Sequence, residues 1–432
     1  MTKADIIITD CTALPMNRKQ VLNNATLAIQ NEKIIFIGKN PPANMSAETK
    51  INARGKVALP GLVNCHTHVP MTLFRGLAED QPLNDWLKQT MWPLEAKLRS
   101  QHVYAGALLG CLEMIKGGTT CFADMYFHED KVAAAVEKSG LRGVLAEGII
   151  EGNDERRGMR LFQKSVDFVR DFNGHADGRV SVMLAPHSAY NCSAELLSRI
   201  GEEASKLKVG VHIHLSESDV MFRELKKKLG VSEVQFLDGI GFFNNHVLAA
   251  HCIRLSKSDM QILARHAAGV AYVPVSNMKL GLGIAKAKSL IDLGVNVGFG
   301  TDGPASNNSL DMFETMKTGA LLQKLLYENP TVLSAFETLQ MATLNGAKAL
   351  GIDKHVGSLE VGKKADIILV DLSKPHLKPL HDVCASLVYS AHASDVDTTI
   401  VNGQVLMENR HVMTLDEEAV MEDADRALSG LL

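Results

Sequence analysis

The chain lacks most of the features that mark specialised protein classes. Its seven cysteines are scattered, odd in number and include no Cys-x-x-Cys pair. That pattern excludes a disulfide scaffold and suits reduced thiols packed as small core residues. No cationic, apolar, small-residue leader opens the chain, and no apolar run approaches membrane-spanning length. A cytoplasmic protein without a membrane partner is therefore expected. A basic patch is also missing. The net charge of −4 is weak and spread out, and Lys226-Lys227-Lys228 follows Arg223-Glu224 in a helical stretch and reads as a solvated face. Nucleic acid is excluded as a partner on this ground. No Gly-x-Gly-x-x-Gly follows a first strand, and Gly281-Leu282-Gly283 is too short to support a dinucleotide fold. Tryptophan is scarce, with only Trp86 and Trp92.

What is present has the balance of a globular enzyme. The 432 residues are 46% hydrophobic and 22% charged, enough for one large domain and a satellite. Residues 1–58 read as short strands: Asp5–Thr9, Ala25–Ile29 and Lys33–Gly38, the last two joined by a turn at Asn31-Glu32-Lys33. From about 59 to 356 the pattern becomes apolar strand then amphipathic helix, repeatedly. The strand candidates are Leu59–His66, Thr119–Asp124, Leu141–Glu147, Val180–Pro186, Val209–His214, His246–His251, Gly269–Ser276 and Val295–Asp302. Helices such as Asp130–Ser139, Ala194–Leu207 and Lys257–Ala267 separate most of them. This series predicts an α/β fold, a (β/α)8 TIM barrel, over 59–356. Strand character returns from Gly357, at Ala365–Asp371 and Thr398–Gly403, before a closing helix over Asp416–Leu431. The two β-rich ends, 1–58 and 357–432, are expected to pair into one small sandwich, because short strands cannot bury a face separately.

Barrel enzymes build their sites where strands finish. Here the predicted strand ends carry His66-Thr67-His68, His187, His212-Ile213-His214, His251 and Asp302. Singly, each histidine is most simply a packed core residue. Their recurrence on one rim, from only 16 histidines in the chain, points instead to a metal centre. His66 and His68, two apart on an extended segment, share a face. Asp302 is the short carboxylate that completes an N/O set. On the fifth strand His214 lies nearest the end, while His212 sits deeper, where a packing or ligand-supporting role fits better. His66, His68, His214 and Asp302 leave a position for water, whose pKa a metal would lower towards neutrality. The fourth strand carries no lysine to bridge a second ion, so one divalent metal is expected. Zinc is the first expectation; iron(II) and manganese(II) accept the same ligands.

The ordered set resembles the amidohydrolase superfamily. Within it the chain is similar to the 5′-methylthioadenosine/S-adenosylhomocysteine deaminases and their chlorohydrolase-type relatives. The motifs that carry the likeness are NCHTHVPMTLFRGLAED (64–80), the stretch from Asp85-Trp86-Leu87 to Trp92-Pro93-Leu94-Glu95, KGGTTCFADMY (116–126), APHSAY (185–190), HLSES (214–218) and GTDGPASNNSLDMF (300–313). Gly357–Asp366 resembles that superfamily's return to its β-sandwich. The resemblance implies hydrolytic deamination of a 5′-substituted adenosine, such as 5′-methylthioadenosine, adenosine or S-adenosylhomocysteine. It assigns proton transfer to the ring to Glu217, orientation of the water to His251, and the water's proton to Asp302. For substrate binding it implies Glu95 on the ribose hydroxyls, Trp86 against the purine, and His187 and Arg160 as further contacts. Ser306 is a candidate pocket hydroxyl, a turn or helix cap being the plainer alternative. From pattern alone Trp86 would be core, and Glu95 and Arg160 ordinary surface charges.

One position departs from the family. An arginine after the third strand, which helps bind the homocysteine carboxylate in better-known members, is replaced by Glu147, with Arg156 and Arg157 on the same loop as substitutes. A preference for neutral 5′-substituents follows. The alternatives on the same fold are a guanine or 8-oxoguanine deaminase and a triazine-type chlorohydrolase. A cyclic-amide hydrolase is disfavoured by the absent strand-four lysine. A small-molecule purine nucleoside is the expected partner, and assembly into a homo-oligomer is expected.

Overall fold

The computed structural model describes residues 3–77 and 79–431, so Ala78 of the 64–80 motif lies outside the described residues. Eight parallel strand positions follow one another with intervening helices. They are β1 (Leu62–Thr67), β2 (Thr119–Tyr126), β3 (Arg142–Ile149), β4 (Val180–Val182 and Ala185–Pro186), β5 (Val211–Leu215), β6 (Val247–His251), β7 (Gly269–Tyr272) and β8 (Asn296–Phe299). β1 to β4 pair in sequence, and so do β5 to β8. A parallel bridge between Leu184 and Val211 joins the two halves. At the opposite seam the link is made largely by one side chain. Asn64 on β1 donates to the Thr301 hydroxyl at 2.7 Å and accepts the Thr301 N–H at 3.0 Å, while Asp302 N–H donates to the His66 carbonyl at 2.9 Å. The (β/α)8 barrel expected from the alternating pattern is the observed architecture.

Small side chains fill the space between the strands. Val63, Cys65, Cys121, Ala123, Val144, Ala146, Ala185, Leu248, Ala250 and Ala271 form one buried cluster drawn from β1, β2, β3, β4, β6 and β7. His212 and His214 are register partners of Leu248 and Ala250, so they point the same way as these residues. A β-carbon on Gly298 would come within 2.3 Å of the Cys65 sulfur, which shows how tightly this interior is packed.

The strands from the two chain ends do pair. Lys3–Ala13 takes Leu22–Gln30 along one edge; along the other it takes Ser46–Asn52 and then Lys56–Pro60. Ile367–Asp371 pairs with Lys56–Pro60, and Val396–Val401 and Gln404–Glu408 extend the sheet. Alternation along Ile367–Asp371 sends Ile367 and Leu369 into a core with Ile6, Ile8, Leu27 and Ile29, while Ile368 and Val370 join the large core of the barrel. One expectation is corrected here. Leu59 and Pro60 belong to this flanking sheet, not to the first barrel strand, and the chain breaks register at Gly61. A β-carbon there would meet Thr120 at 2.1 Å, so only glycine lets the strand turn from sheet to barrel. No helix among the described residues is long and apolar enough to cross a membrane.

Candidate active site

The strand ends converge on a cluster of imidazoles. His68 Nε2 lies 3.3 Å from His214 Nε2, and Asp302 Oδ1 lies 3.6 Å from His66 Nε2 and 3.4 Å from His68 Nε2. Two ligand triads are compatible with a metal ion, His66–His68–His214 and His66–His251–Asp302, with donor atoms within 4.8 Å of one another. They share His66 and so describe one centre.

Each ligand is oriented from behind. His66 Nδ1 meets His212 Nε2 at 2.9 Å, His68 Nδ1 donates to the Met125 carbonyl at 2.6 Å, and His214 Nδ1 donates to the His187 carbonyl at 2.9 Å. Asp302 holds the left-handed φ of 64°. Its Oδ2 accepts the Ser276 hydroxyl at 2.6 Å and its Oδ1 the Gly303 N–H at 2.7 Å. Asp124 brackets His68, with Oδ1 accepting the Thr67 hydroxyl at 2.6 Å and the Val69 N–H at 2.7 Å.

A divalent metal fits this set. Every imidazole has one nitrogen engaged outward and the other turned inward. The inward Nε2 of His66 is buried with no hydrogen-bond partner, an orphaned lone pair that a metal would satisfy. Burial, followed by repulsion from His68 and His214, drives the His66 pKa well below its ordinary value. Burial does the same for His214. Both rings are thus neutral, the state that ligates.

The groups placed for chemistry sit beside the ligands. Glu217 is 14% exposed, and its Oε1 lies 3.8 Å from His251 Nε2. His251 Nδ1 donates to Asn277 Oδ1 at 3.0 Å, which turns Nε2 towards the site. Burial raises the pKa of Glu217. Burial pushes Asp302 up too, but His251, His68, the Ser276 hydroxyl and the Gly303 N–H outweigh it and hold that carboxyl below its ordinary value. Two neighbouring carboxyls are therefore driven apart.

A pocket opens over this centre. Its wall includes Trp86, Met91, Trp92 and Glu95 from one segment, with Phe127, His187, Glu217 and Ser306 around it. That segment runs through a widened helical turn, Trp86–Met91, between two short α-helical turns, a form common at functional sites. Trp86 is buried there and Trp92 is partly exposed. The edge of Glu95 reaches solvent, yet its carboxylate is ringed by protein, and that desolvation raises its pKa. His187 keeps part of its ring open to the pocket; burial elsewhere pulls it down to about 4. The Ser306 hydroxyl lies 3.0 Å from Ser276 Oγ, so it touches the Asp302 network as well as the pocket.

The structure does not bring Arg160 to either cavity. It is exposed on the helix Glu155–Phe172. From that helix Arg157 and Lys164 instead line a second cavity, which adjoins the first through Trp92, Glu95, Phe127 and Ile150. Glu147 faces this cavity already engaged. Its Oε1 pairs with Lys164 Nζ at 2.5 Å, and its Oε2 accepts the Glu129 N–H at 2.9 Å. Sequence reasoning had no signal for Lys164 or Asn277, and it placed Asp124 in the motif 116–126 without a role; each holds a group well removed along the chain.

The family model of the amidohydrolase family matches residues 57–406. The chain belongs to the amidohydrolase family. This amidohydrolase is 50% identical over 430 residues, 99% of each chain, to a 5′-deoxyadenosine deaminase of Methanosarcina acetivorans. It is 47% identical over 408 residues, 94% of each chain, to a 5-methylthioadenosine/S-adenosylhomocysteine deaminase of Desulforudis audaxviator. Among solved structures it is similar to an adenosine deaminase from Xanthomonas campestris with bound zinc. That match has a TM-score of 0.94 and 33% identity, covering 100% of this chain and 99% of the other.

Proposed function

We propose that this amidohydrolase deaminates the adenine ring of 5′-substituted adenosines, releasing ammonia and the inosine analogue, with one zinc ion held by His66, His68, His214 and Asp302. The observation that carries the reading is the opposed pair of carboxyls at the floor of the pocket. Burial raises the pKa of Glu217 while its neighbours hold Asp302 below its ordinary value, so the two carboxyls are shifted in the opposite directions that acid and base steps need. A bound divalent metal supplies hydroxide at neutral pH by acidifying a water. Asp302 Oδ1, at the ligand cluster, takes that water's proton and returns it to the departing amine. Glu217 would give its proton to the ring nitrogen beside the amino-bearing carbon, which makes that carbon electrophilic, and would be reprotonated by the second proton of the water as the product's carbonyl forms. His251 Nε2 accepts a hydrogen bond from the incoming water and fixes its direction. Glu95 receives the ribose hydroxyls, and Trp86 and His187 enclose the base.

For the 5′-group, the second cavity gives the reason to expect a neutral substituent. Glu95 and Glu147 balance Arg157 and Lys164 along its wall, so a carboxylate gains no net attraction there. 5′-Deoxyadenosine, 5′-methylthioadenosine and adenosine should therefore outcompete S-adenosylhomocysteine. A panel of these four nucleosides, with guanine and a chloro-triazine, is assayed by ultraviolet change and ammonia release at low salt. Equal kcat/KM for S-adenosylhomocysteine would refute the specificity; no reaction with any nucleoside in metal-replete protein would refute the activity. The absence of basic clustering and the seven free cysteines support a cytoplasmic enzyme that does not bind nucleic acid. A homo-oligomer is expected on light scattering.

A further inference from the structure

Glu233 is a buried carboxyl that the chemistry above does not use. It opens the helix Glu233–Gly239, is 4% exposed, and none of the groups acting on its charge is cationic. Its Oε2 accepts the Ser216 N–H at 2.7 Å and the Ser216 hydroxyl at 3.3 Å. Ser216 lies between the ligand His214 and the acid Glu217, and holds a left-handed φ of 51°, a conformation that a non-glycine residue keeps only when its surroundings over-determine it. The other side of this turn is pinned as well. The Ser216 carbonyl accepts Ile253 N–H at 3.1 Å and Arg254 N–H at 3.0 Å, and Cys252 N–H donates to the Leu215 carbonyl at 3.0 Å. The loops carrying Glu217 and following His251 therefore meet at one strained residue, whose N–H and hydroxyl are both held by Glu233.

The clamp is itself anchored. The Ser232 hydroxyl accepts the Gln235 N–H at 3.1 Å and donates to Asp259 at 2.5 Å, which fixes the start of the helix that presents Glu233. Burial pushes this carboxyl up to about 7. A buried acid with no cationic partner is a costly way to hold neutral donors, and the helix already has Ser232 as its cap. Its carboxylate also takes the Ala189 N–H, so what it holds in the fold is the Ser216 turn and the loop that follows His187.

We propose that Glu233 is a positioning residue for proton transfer: by clamping the strained Ser216 turn it aims the Glu217 carboxyl at the substrate's ring nitrogen. The inference rests on the reading of Glu217 as the proton donor. Misplacing a reacting group by about 1 Å costs on the order of 100-fold in rate. In the metal-loaded enzyme, Glu233→Ala should therefore lower kcat by about 10- to 100-fold, with KM and bound metal little changed. Glu233→Gln, which keeps an oxygen for the Ser216 N–H, should recover most of the rate. Glu233→Met, which fills the volume without an acceptor, gives the same comparison if the alanine variant folds poorly. The deciding measurement is the double variant, Glu217→Gln with Glu233→Ala. If Glu233 acts through Glu217, the double variant is no slower than Glu217→Gln alone. Additive losses, wild-type kcat in both Glu233→Ala and Glu233→Met, or metal lost in step with activity would each overturn the proposal. Full activity in Glu217→Gln alone would instead overturn the reading of Glu217 on which it stands.

Discussion

Replacing Glu95 with alanine should separate nucleoside recognition from catalysis. The Glu95 carboxylate stands in the pocket wall on the segment that also carries Trp86, and protein surrounds it closely enough to raise its pKa. Two vicinal ribose hydroxyls donating to this group in its carboxylate form would make two charge-assisted hydrogen bonds, each contributing about 1.5–3 kcal/mol. Losing both amounts to about 3–6 kcal/mol, or roughly 10²- to 10⁴-fold in kcat/KM. Glu95 is not one of the four proposed ligands, so bound metal should stay at the wild-type level. The assay follows ultraviolet change with adenosine, 2′-deoxyadenosine and 3′-deoxyadenosine, alongside metal analysis of the same preparations. In the wild type each missing hydroxyl should lower kcat/KM, whereas in Glu95→Ala the three substrates should converge. If the variant still prefers adenosine by the wild-type margin, Glu95 does not receive the ribose hydroxyls.

Other perturbations probe the supports of the site. Burial holds His187 at about 4 and His212 at about 3, below the value of about 6.5 in an unfolded chain. Their contribution to stability is therefore complete above pH 6.5 and is lost as the pH falls towards 4, about 3 kcal/mol for His187 alone. Thermal midpoints between pH 7.5 and 5 should fall with acidity, and less steeply in His187→Asn; an equal slope would contradict the assignment. Asn64→Ala removes two of the three hydrogen bonds across the β1–β8 seam and strands the buried Thr301 N–H. It should cost about 2–4 kcal/mol in denaturant unfolding and lower activity through Asp302. Glu147→Ala leaves Lys164 and the Glu129 N–H without their acceptor and should cost about 1–3 kcal/mol. It should also shift the kcat/KM ratio towards S-adenosylhomocysteine, because Lys164 is freed.

The barrel was legible because its strands read as apolar runs and its helices as amphipathic ones, two different periods along one chain. Boundaries failed where a single steric contact decides them. Pro60-Gly61 is a turn signal, but that the chain passes there from the flanking sheet to the barrel depends on Thr120, remote in sequence. The strand Ser46–Asn52 escaped notice because its residues are mostly exposed and polar, so it carries no apolar run. In the site, histidines at strand ends were visible because their residue type is scarce and their placement repeats. The supports were not. Asn277, Asp124 and Glu233 are common residue types whose meaning is a contact with a distant turn. Glu147 could be seen to stand where a cation was expected, but not that Lys164 would already be paired with it.

The most direct test of the central claim is to titrate zinc into chelated protein while following deamination of 5′-deoxyadenosine and 5′-methylthioadenosine by ultraviolet change and ammonia release. The account predicts no activity without metal, recovery that saturates at one zinc per chain, and no recovery in Asp302→Asn at the same metal loading. Nucleoside deamination that persists without metal, or zinc-replete protein that turns over neither nucleoside, would contradict it.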